Sequence, residues 1–286
     1  MKFTKMHGIG NDYIYVDCMQ GIGFDPEQTS IALSDRHFGV GSDGMILICP
    51  SDKADFRMRM FNADGSEGKM CGNGIRCFAK FVYCKGLTNK TVITIETLAG
   101  IKTAWLTVEK GDVTSVRVNM GSPELSPSLI PVLFDGDKMV NEAVEVGGKT
   151  WNVTAVSMGN PHCVTYVEDV ESLDLEKIGP AFEHHEIFPE RVNTEFVQPI
   201  DSATVKMRVW ERGSGETWAC GTGACAVAVA SILNGVVKSD CVLVKLRGGD
   251  LSIEWDRETD TVFMTGPATF VYEGETDALA WVKDAR

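Results

Sequence analysis

Cys220-Gly221-Thr222-Gly223-Ala224-Cys225-Ala226-Val227-Ala228-Val229-Ala230-Ser231-Ile232-Leu233-Asn234-Gly235 runs without one charged side chain. From Gly223 to Asn234 the composition predicts a helix that is apolar on every side, and such a helix must be buried on every side. Gly235 is the residue type that stops it. The same design occurs earlier. Cys71-Gly72-Asn73-Gly74 opens a largely apolar segment from Gly74 to Lys85, and Gly86 closes it. Each segment is expected to be a central helix wrapped by a curved sheet.

The two segments are copies. With a shift of 149 positions and no gap, Cys71 meets Cys220, Gly72 meets Gly221 and Gly74 meets Gly223. Under the same shift Met58 meets Met207, Arg59 meets Arg208 and Glu67 meets Glu216. Ala79 meets Ala228, Gly86 meets Gly235, Gly100 meets Gly249 and Asn11 falls on Asn160. A repeat of this length marks two versions of one fold. Outside the two helices, period-two alternation predicts strands at Phe56–Phe61, Val92–Thr97, Ile101–Glu109, Val113–Met120, Ala203–Trp210, Cys241–Leu246 and Leu251–Trp255. Helices are expected at Pro26–Arg36 and, more weakly marked, at Leu173–Phe182. The expected class is α+β: two pseudo-symmetric domains, each a curved mixed or antiparallel, barrel-like β-sheet around a buried helix. Gly121-Ser122-Pro123 and Ser126-Pro127 mark the boundary. The halves are therefore residues 1–120 with 268–286, carrying Cys71, and residues 121–267, carrying Cys220. The active site is expected in the cleft between them.

Composition narrows the function. A net charge of −13 is no footprint for nucleic acid. The chain lacks a run of the roughly 18 apolar residues that a membrane helix needs, and Met1–Asn11 has no apolar core of a signal peptide. A cytoplasmic protein is expected. The nine cysteines are an odd number with no Cys-x-x-Cys pair, which argues against a disulfide framework and against zinc. Cys18, Cys49, Cys84 and Cys241 are read as small buried apolar residues. His184 and His185 are read as a solvated helix end, and His7 and His37 as structural.

The chemistry lies at the helix starts. Unpaired N–H groups there attract an anion, glycines let a ligand approach the backbone, and a cysteine is biased toward thiolate. A helix end worth up to about 2 kcal/mol takes roughly 1.5 pH units off a thiol reference of about 8.5. That brings a thiolate near neutrality, but extracting a C–H proton also needs stabilisation of the carbanion, which two sets of amides can supply. Inverting a tetrahedral carbon removes a proton on one face and adds one on the other. A thiolate and a thiol, one in each half, suit that task in both directions.

The chain resembles the diaminopimelate epimerases nearly end to end. The resemblance rests on Phe3-Thr4-Lys5-Met6-His7-Gly8-Ile9-Gly10-Asn11-Asp12, Phe61-Asn62-Ala63-Asp64-Gly65-Ser66, Cys71-Gly72-Asn73-Gly74-Ile75-Arg76-Cys77, Gly159-Asn160-Pro161-His162, Trp210-Glu211-Arg212-Gly213, Ala219-Cys220-Gly221-Thr222-Gly223-Ala224 and Met264-Thr265-Gly266-Pro267-Ala268. It implies interconversion of LL- and meso-2,6-diaminopimelate, in lysine and peptidoglycan precursor synthesis, with no pyridoxal phosphate, other cofactor or metal. By the same resemblance Cys71 and Cys220 are the acid–base pair, and His162 and Glu211 support it. Gly72, Asn73, Gly221 and Thr222 offer carboxylate-binding amides. Asn11, Asn62, Asn160, Asn193, Glu211 and Arg212 match substrate-binding positions. A homodimer with Tyr272 near its interface is implied too. One departure is Gly44, where some members carry an amide side chain.

Two rivals stand beside this reading. Proline and hydroxyproline racemases share the two cysteines but typically carry histidine at the place of Asn73. A thiol redox protein would cycle Cys71 and Cys220 through a disulfide. Arg76, one turn into its helix, is a candidate to hold an acidic partner between the two domains.

Overall fold

The computed structural model describes residues 1–277; residues 278–286, placed above with the N-terminal half, lie outside the described residues. The chain divides into two compact units, Met1–Val118 with the segment from Gly266 onward, and Asn119–Thr265.

The first unit runs β1 (Lys2–Gly8), β2 (Asn11–Asp17), α1 (Pro26–Ser34), β3 (Gly44–Cys49), β4 (Phe56–Asn62), β5 (Glu67–Gly68), α2 (Gly72–Cys84), β6 (Val92–Thr97), β7 (Gly100–Glu109) and β8 (Asp112–Gly121). The second runs β9 (Glu142–Val146), β10 (Lys149–Ser157), β11 (Pro161–Tyr166), α3 (Leu175–Glu183), β12 (Asn193–Pro199), β13 (Thr204–Glu211), β14 (Gly215–Thr217), α4 (Gly221–Leu233), β15 (Cys241–Leu246), β16 (Gly249–Asp256) and β17 (Thr261–Gly266). The chain then returns to the first unit as β18 (Thr269–Glu275).

In the first unit hydrogen bonding links β18, β1, β2, β3, β4, β6, β7 and β8 in that order. In the second it links β9, β10, β11, β12, β13, β15, β16 and β17. The sequence of orientations is the same in both: two antiparallel steps, one parallel, one antiparallel, one parallel, two antiparallel. Register is copied as well. Phe56 pairs Ile95 where Val205 pairs Val244, and Ile93 pairs Ala104 where Val242 pairs Ile253. The 149-residue shift is therefore a property of the backbone ladder. A one-residue slip would turn every core side chain outward.

Each sheet curls round its helix. Helix α2 packs against β1, β2, β3 and β7, and α4 against β10, β11, β12, β15 and β16, strands drawn from distant parts of each sheet. Residues 72–82 of α2 and 223–231 of α4 are buried, as apolarity on all sides predicts. Gly86 and Gly235 take φ of +72° and +66° and end the helices in the left-handed conformation expected of them. The helices begin two residues earlier than the sequence suggests, because the glycines after each cysteine are already helical. Helix α1 stops at Ser34, before the expected Arg36, and Leu175 opens α3. Cys84 and Cys241 are exposed, against expectation; one sits at the last position of α2 and the other on the outward face of the alternating β15. Cys18 and Cys49 are buried in the first unit's core. No described helix is long and apolar enough to cross a membrane.

Candidate active site

In each unit an antiparallel pair of strands delivers the cysteine. Arg59 on β4 grips Glu67 on β5 through two bonds of 2.7 and 2.8 Å, and Arg208 on β13 grips Glu216 on β14 at 2.8 and 2.9 Å. Such two-pronged guanidinium–carboxylate pairs fix geometry as well as charge. Four residues beyond each glutamate stands the cysteine, the N-cap at which the chain turns into the helix. Cys71 (φ −125°, ψ 121°) accepts from the Gly74 N–H at 3.3 Å; Cys220 (φ −114°, ψ 107°) accepts from Gly223 at 3.4 Å. A sulfur stands where a capping hydroxyl is usual.

Burial, however, dominates the helix end. It pushes the Cys71 thiol above its ordinary range, against the Gly74 and Asn73 N–H groups, the Tyr13 hydroxyl and the Arg76 guanidinium. Burial pushes the Cys220 thiol much further, with the charges of Glu211 and Glu195 adding to it. The expected drift toward thiolate is thus reversed: desolvating the anion outweighs the dipole.

Around Cys71 the partners are carboxamide and phenol. Its Sγ donates to Oδ1 of Asn11 at 3.3 Å, and Nδ2 of Asn11 donates to Oδ2 of Asp43 at 2.7 Å. Arg36 ties Asp43 to Asp12 at 2.9 and 2.8 Å, and Lys5 closes the cluster on Asp12. Burial pushes the Asp43 carboxyl up, the charge of Asp12 adds to it, and Arg36 opposes both. Asn62, at the end of β4, donates from Nδ2 to Ser66 Oγ at 2.9 Å. Asn73 lies buried on the first turn of α2, its Oδ1 accepting from Arg76 at 3.0 Å. Arg76 is fully buried and also donates to the carbonyls of Gly72 and Pro267, both at 3.2 Å. Gly44 leaves no room for a side chain, since a Cβ there would lie 2.1 Å from the Phe61 carbonyl oxygen.

Around Cys220 the partners are ionisable. Glu211 is linked to the Cys220 thiol and to Thr217 Oγ1, and burial pushes its carboxyl up. Thr222 Oγ1 is 3.6 Å from Sγ. His162 is fully buried, with Nδ1 2.7 Å from Oε1 of Glu195 and Nε2 3.1 Å from Oδ1 of Asn160. Asn193 donates to the Pro161 carbonyl and accepts from the Arg212 N–H, both at 2.9 Å, so it pins the Glu211-Arg212 turn. The Arg212 guanidinium reaches the Glu190 carbonyl at 2.8 Å.

The ladder correspondence locates residues that the sequence reading passed over. Tyr13 stands where His162 stands, Ile46 where Glu195 stands, Gly44 where Asn193 stands, and Asn62 where Glu211 stands. Tyr13, Asp43 and Glu195 were not singled out. The same shift that relates Asn11 to Asn160, continued two residues further, reaches Tyr13 and His162.

A family model described as diaminopimelate epimerase matches residues 3–126 and 154–271. The chain is 59% identical over 277 residues to a diaminopimelate epimerase of Acetivibrio thermocellus, covering 97% of this chain and 99% of that one. It is 57% identical to one of Agathobacter rectalis, covering 98% and 100%. Among solved structures it is similar in fold to a hydroxyproline epimerase from Agrobacterium vitis with bound trans-4-hydroxy-L-proline (TM-score 0.70, 15% identity, 96% of this chain and 90% of that one). It is also similar to a Bacillus anthracis protein of the PhzF family (TM-score 0.67, 18% identity, 96% and 98%).

Proposed function

The chain belongs to the diaminopimelate epimerase family and is an isomerase, and from that premise we propose that it interconverts LL- and meso-diaminopimelate by a two-cysteine mechanism without pyridoxal phosphate. One observation carries the reading: the same buried helix start, with the same cysteine cap and the same glycine amide on its sulfur, is built twice.

The thiolate of one cysteine takes the Cα proton. The electron pair left on carbon spreads into the adjoining carboxylate, where the amides of Gly72 and Asn73 and of Gly221 and Thr222 oppose the growing charge. The thiol of the other cysteine then gives its proton to the opposite face, and the pair ends with its roles exchanged. Because burial disfavours both thiolates, the anion forms when the substrate's own ammonium group enters beside it. Asn11 and Asn160 flank the reacting amino-acid head. Asn62, Glu211 and Arg212 recognise the distal head, where a guanidinium suits a carboxylate, and Asn193 holds Arg212 in place. His162 and Glu211 support Cys220. The product feeds lysine and peptidoglycan precursor synthesis in the cytoplasm. Two copies associate through β18, where Tyr272 is 46% exposed.

Fully reduced protein with LL-diaminopimelate in deuterated water is expected to place deuterium at Cα as meso product forms. A redox protein exchanges nothing, and absence of exchange would refute the reading. Cys71→Ala and Cys220→Ala should each lower epimerisation by about 10²–10⁴-fold. Full activity in either variant would remove the pairing.

A further inference from the structure

We infer that Glu183, the last residue of α3, is a positioning residue for Arg212: its buried carboxylate holds both the backbone that carries Arg212 and the segment on which the Arg212 guanidinium rests, and so aims that guanidinium at the far carboxylate of the substrate. The inference rests on the proposed role of Arg212 at the distal head, and it adds a second support to that of Asn193.

Three groups that can only donate converge on Glu183. Oε2 accepts from Trp210 Nε1 at 2.8 Å, and Oε1 accepts from the Gly213 N–H at 2.9 Å and from Arg191 Nη1 at 3.2 Å. Trp210 and Gly213 bracket Glu211-Arg212 in the chain. Arg191 follows Glu190, whose carbonyl accepts from the Arg212 guanidinium at 2.8 Å. One carboxylate thus ties down the turn and the peptide its arginine leans on. That peptide is set by an uncommon backbone: Arg191 has a φ of +61°, in the left-handed region. Its N–H on the Phe188 carbonyl at 2.9 Å and its side chain on Glu183 keep it there. Glu211 is anchored separately, through Thr217. Among the described residues the Arg212 guanidinium meets no carboxylate, which leaves its fork for one that arrives.

Packing and helix formation do not ask for a carboxylate here. The end of α3 is the negative end of its dipole, no basic residue lies in its last turn, and the Glu183 side chain is buried. Burial pushes the carboxyl up, but the Trp210 and Gly213 N–H groups, with His184 and Arg191 nearby, pull it below the usual range. The first unit does without such a group. Helix α1 takes the matching place between β2 and β3, and its Ser30 hydroxyl is 2.9 Å from the Asn62 carbonyl and 3.3 Å from that of Phe61. Those two residues match Glu211 and Trp210, and the next one, matching Arg212, is Ala63. The helix holds this turn with a neutral hydroxyl where the turn carries alanine, and with a carboxylate where it carries arginine.

The test is a double-variant cycle on the full-length reduced protein. Steady-state kinetics with LL-diaminopimelate are measured beside calorimetric binding of an equilibrated mixture of the LL and meso isomers. Glu183→Gln leaves one acceptor oxygen for three donors and turns an amino group against the rest. It is expected to raise KM and the dissociation constant by about tenfold, with kcat within about twofold of wild type. In an Arg212→Ala background the same change is expected to cost less than about twofold, because no guanidinium is left to aim. A purely structural role predicts the same loss in both backgrounds; that result, or an unchanged KM in Glu183→Gln, overturns the inference. Should Glu183→Gln fail to fold, Arg191→Ala takes its place, since it cuts only the half-exposed arm. A rise in the dissociation constant of about threefold that vanishes without Arg212 supports the inference, and no rise overturns it. If wild-type protein binds the mixture but exchanges no deuterium, the epimerase reading falls and Glu183 is judged by the binding cycle alone. Wild-type protein that does not bind the mixture overturns both.

Discussion

Sγ of Cys71 donates to Oδ1 of Asn11 at 3.3 Å, and Asn11 is held in that pose by Asp43, which accepts from its Nδ2 at 2.7 Å. The carboxamide therefore shows the sulfur an acceptor, a pose that suits a thiol and opposes a thiolate. Asp43→Ala frees Asn11 to turn its amino group to the sulfur and removes a nearby negative charge. Alkylation of Cys71 should quicken by about tenfold, with Cys220 unchanged as internal control, while epimerisation falls. Peptide-resolved mass spectrometry of partly alkylated protein measures both rates; equal rates in variant and wild type would show that Asp43 does not set the pose.

Both thiols are pushed above their ordinary range, chiefly by burial. In protein without substrate, alkylation of Cys71 and Cys220 should keep accelerating through pH 9 without reaching a plateau. A plateau near pH 7 would mean that the helix ends, and not burial, control the sulfurs.

Burial raises the Glu211 carboxyl above its ordinary 4.5. A raised folded-state value means that this group's contribution to stability is complete below pH 4.5 and drains away as pH rises through the raised value. Glutamine stays neutral and can still accept from Thr217. Glu211→Gln should therefore melt with wild type near pH 4 and a few degrees above it at pH 8, while epimerisation drops by about 10²-fold or more. Calorimetry at the two pH values tests the sign; a gain larger at pH 4 would contradict it.

Gly179 on α3 lies against the Trp210 ring, and a Cβ there would sit 2.3 Å from a ring carbon. Trp210 is also held through Nε1, which donates to Glu183 at 2.8 Å, and Glu183 accepts from the Gly213 N–H at 2.9 Å. Gly179→Ala should cost about 1–3 kcal/mol and disturb the Glu211-Arg212 turn between those anchors. A lowered urea midpoint together with raised KM is the expected result; an unchanged midpoint would show that the ring yields freely.

The two central helices could be read from composition alone, because a charge-free run such as Ala224–Leu233 has few places in a soluble fold. Strands with one wet face were readable too: Val92–Thr97 and Cys241–Leu246 alternate in burial as they do in sequence. Strand β3 was not, since Gly44–Cys49 is buried on both faces and a short apolar run carries no period. Glu195 was hidden for a related reason. Asn193–Val197 is buried at every position, so a glutamate among them reads as solvent-facing until the parallel pairing of β11 with β12 sets it beside His162. The cysteines, Asn11, Asn160 and Arg212 were legible through repetition and resemblance. Tyr13 and Asp43 were not, because what they do depends on the Cys71–Asn11 contact, which joins residues far apart in the chain.

The copied ladder gives the protein its own set of controls. Evolution has run one scaffold twice in a single chain with different side chains, so each substitution in one half has a natural precedent in the other: isoleucine for Glu195, tyrosine for His162, asparagine for Glu211, glycine for Asn193. A variant of the second half that takes the first half's residue keeps a ladder position at which the first half already carries it. Lost activity in such a variant reports on chemistry, and the shape of the molecule is the constant of the experiment.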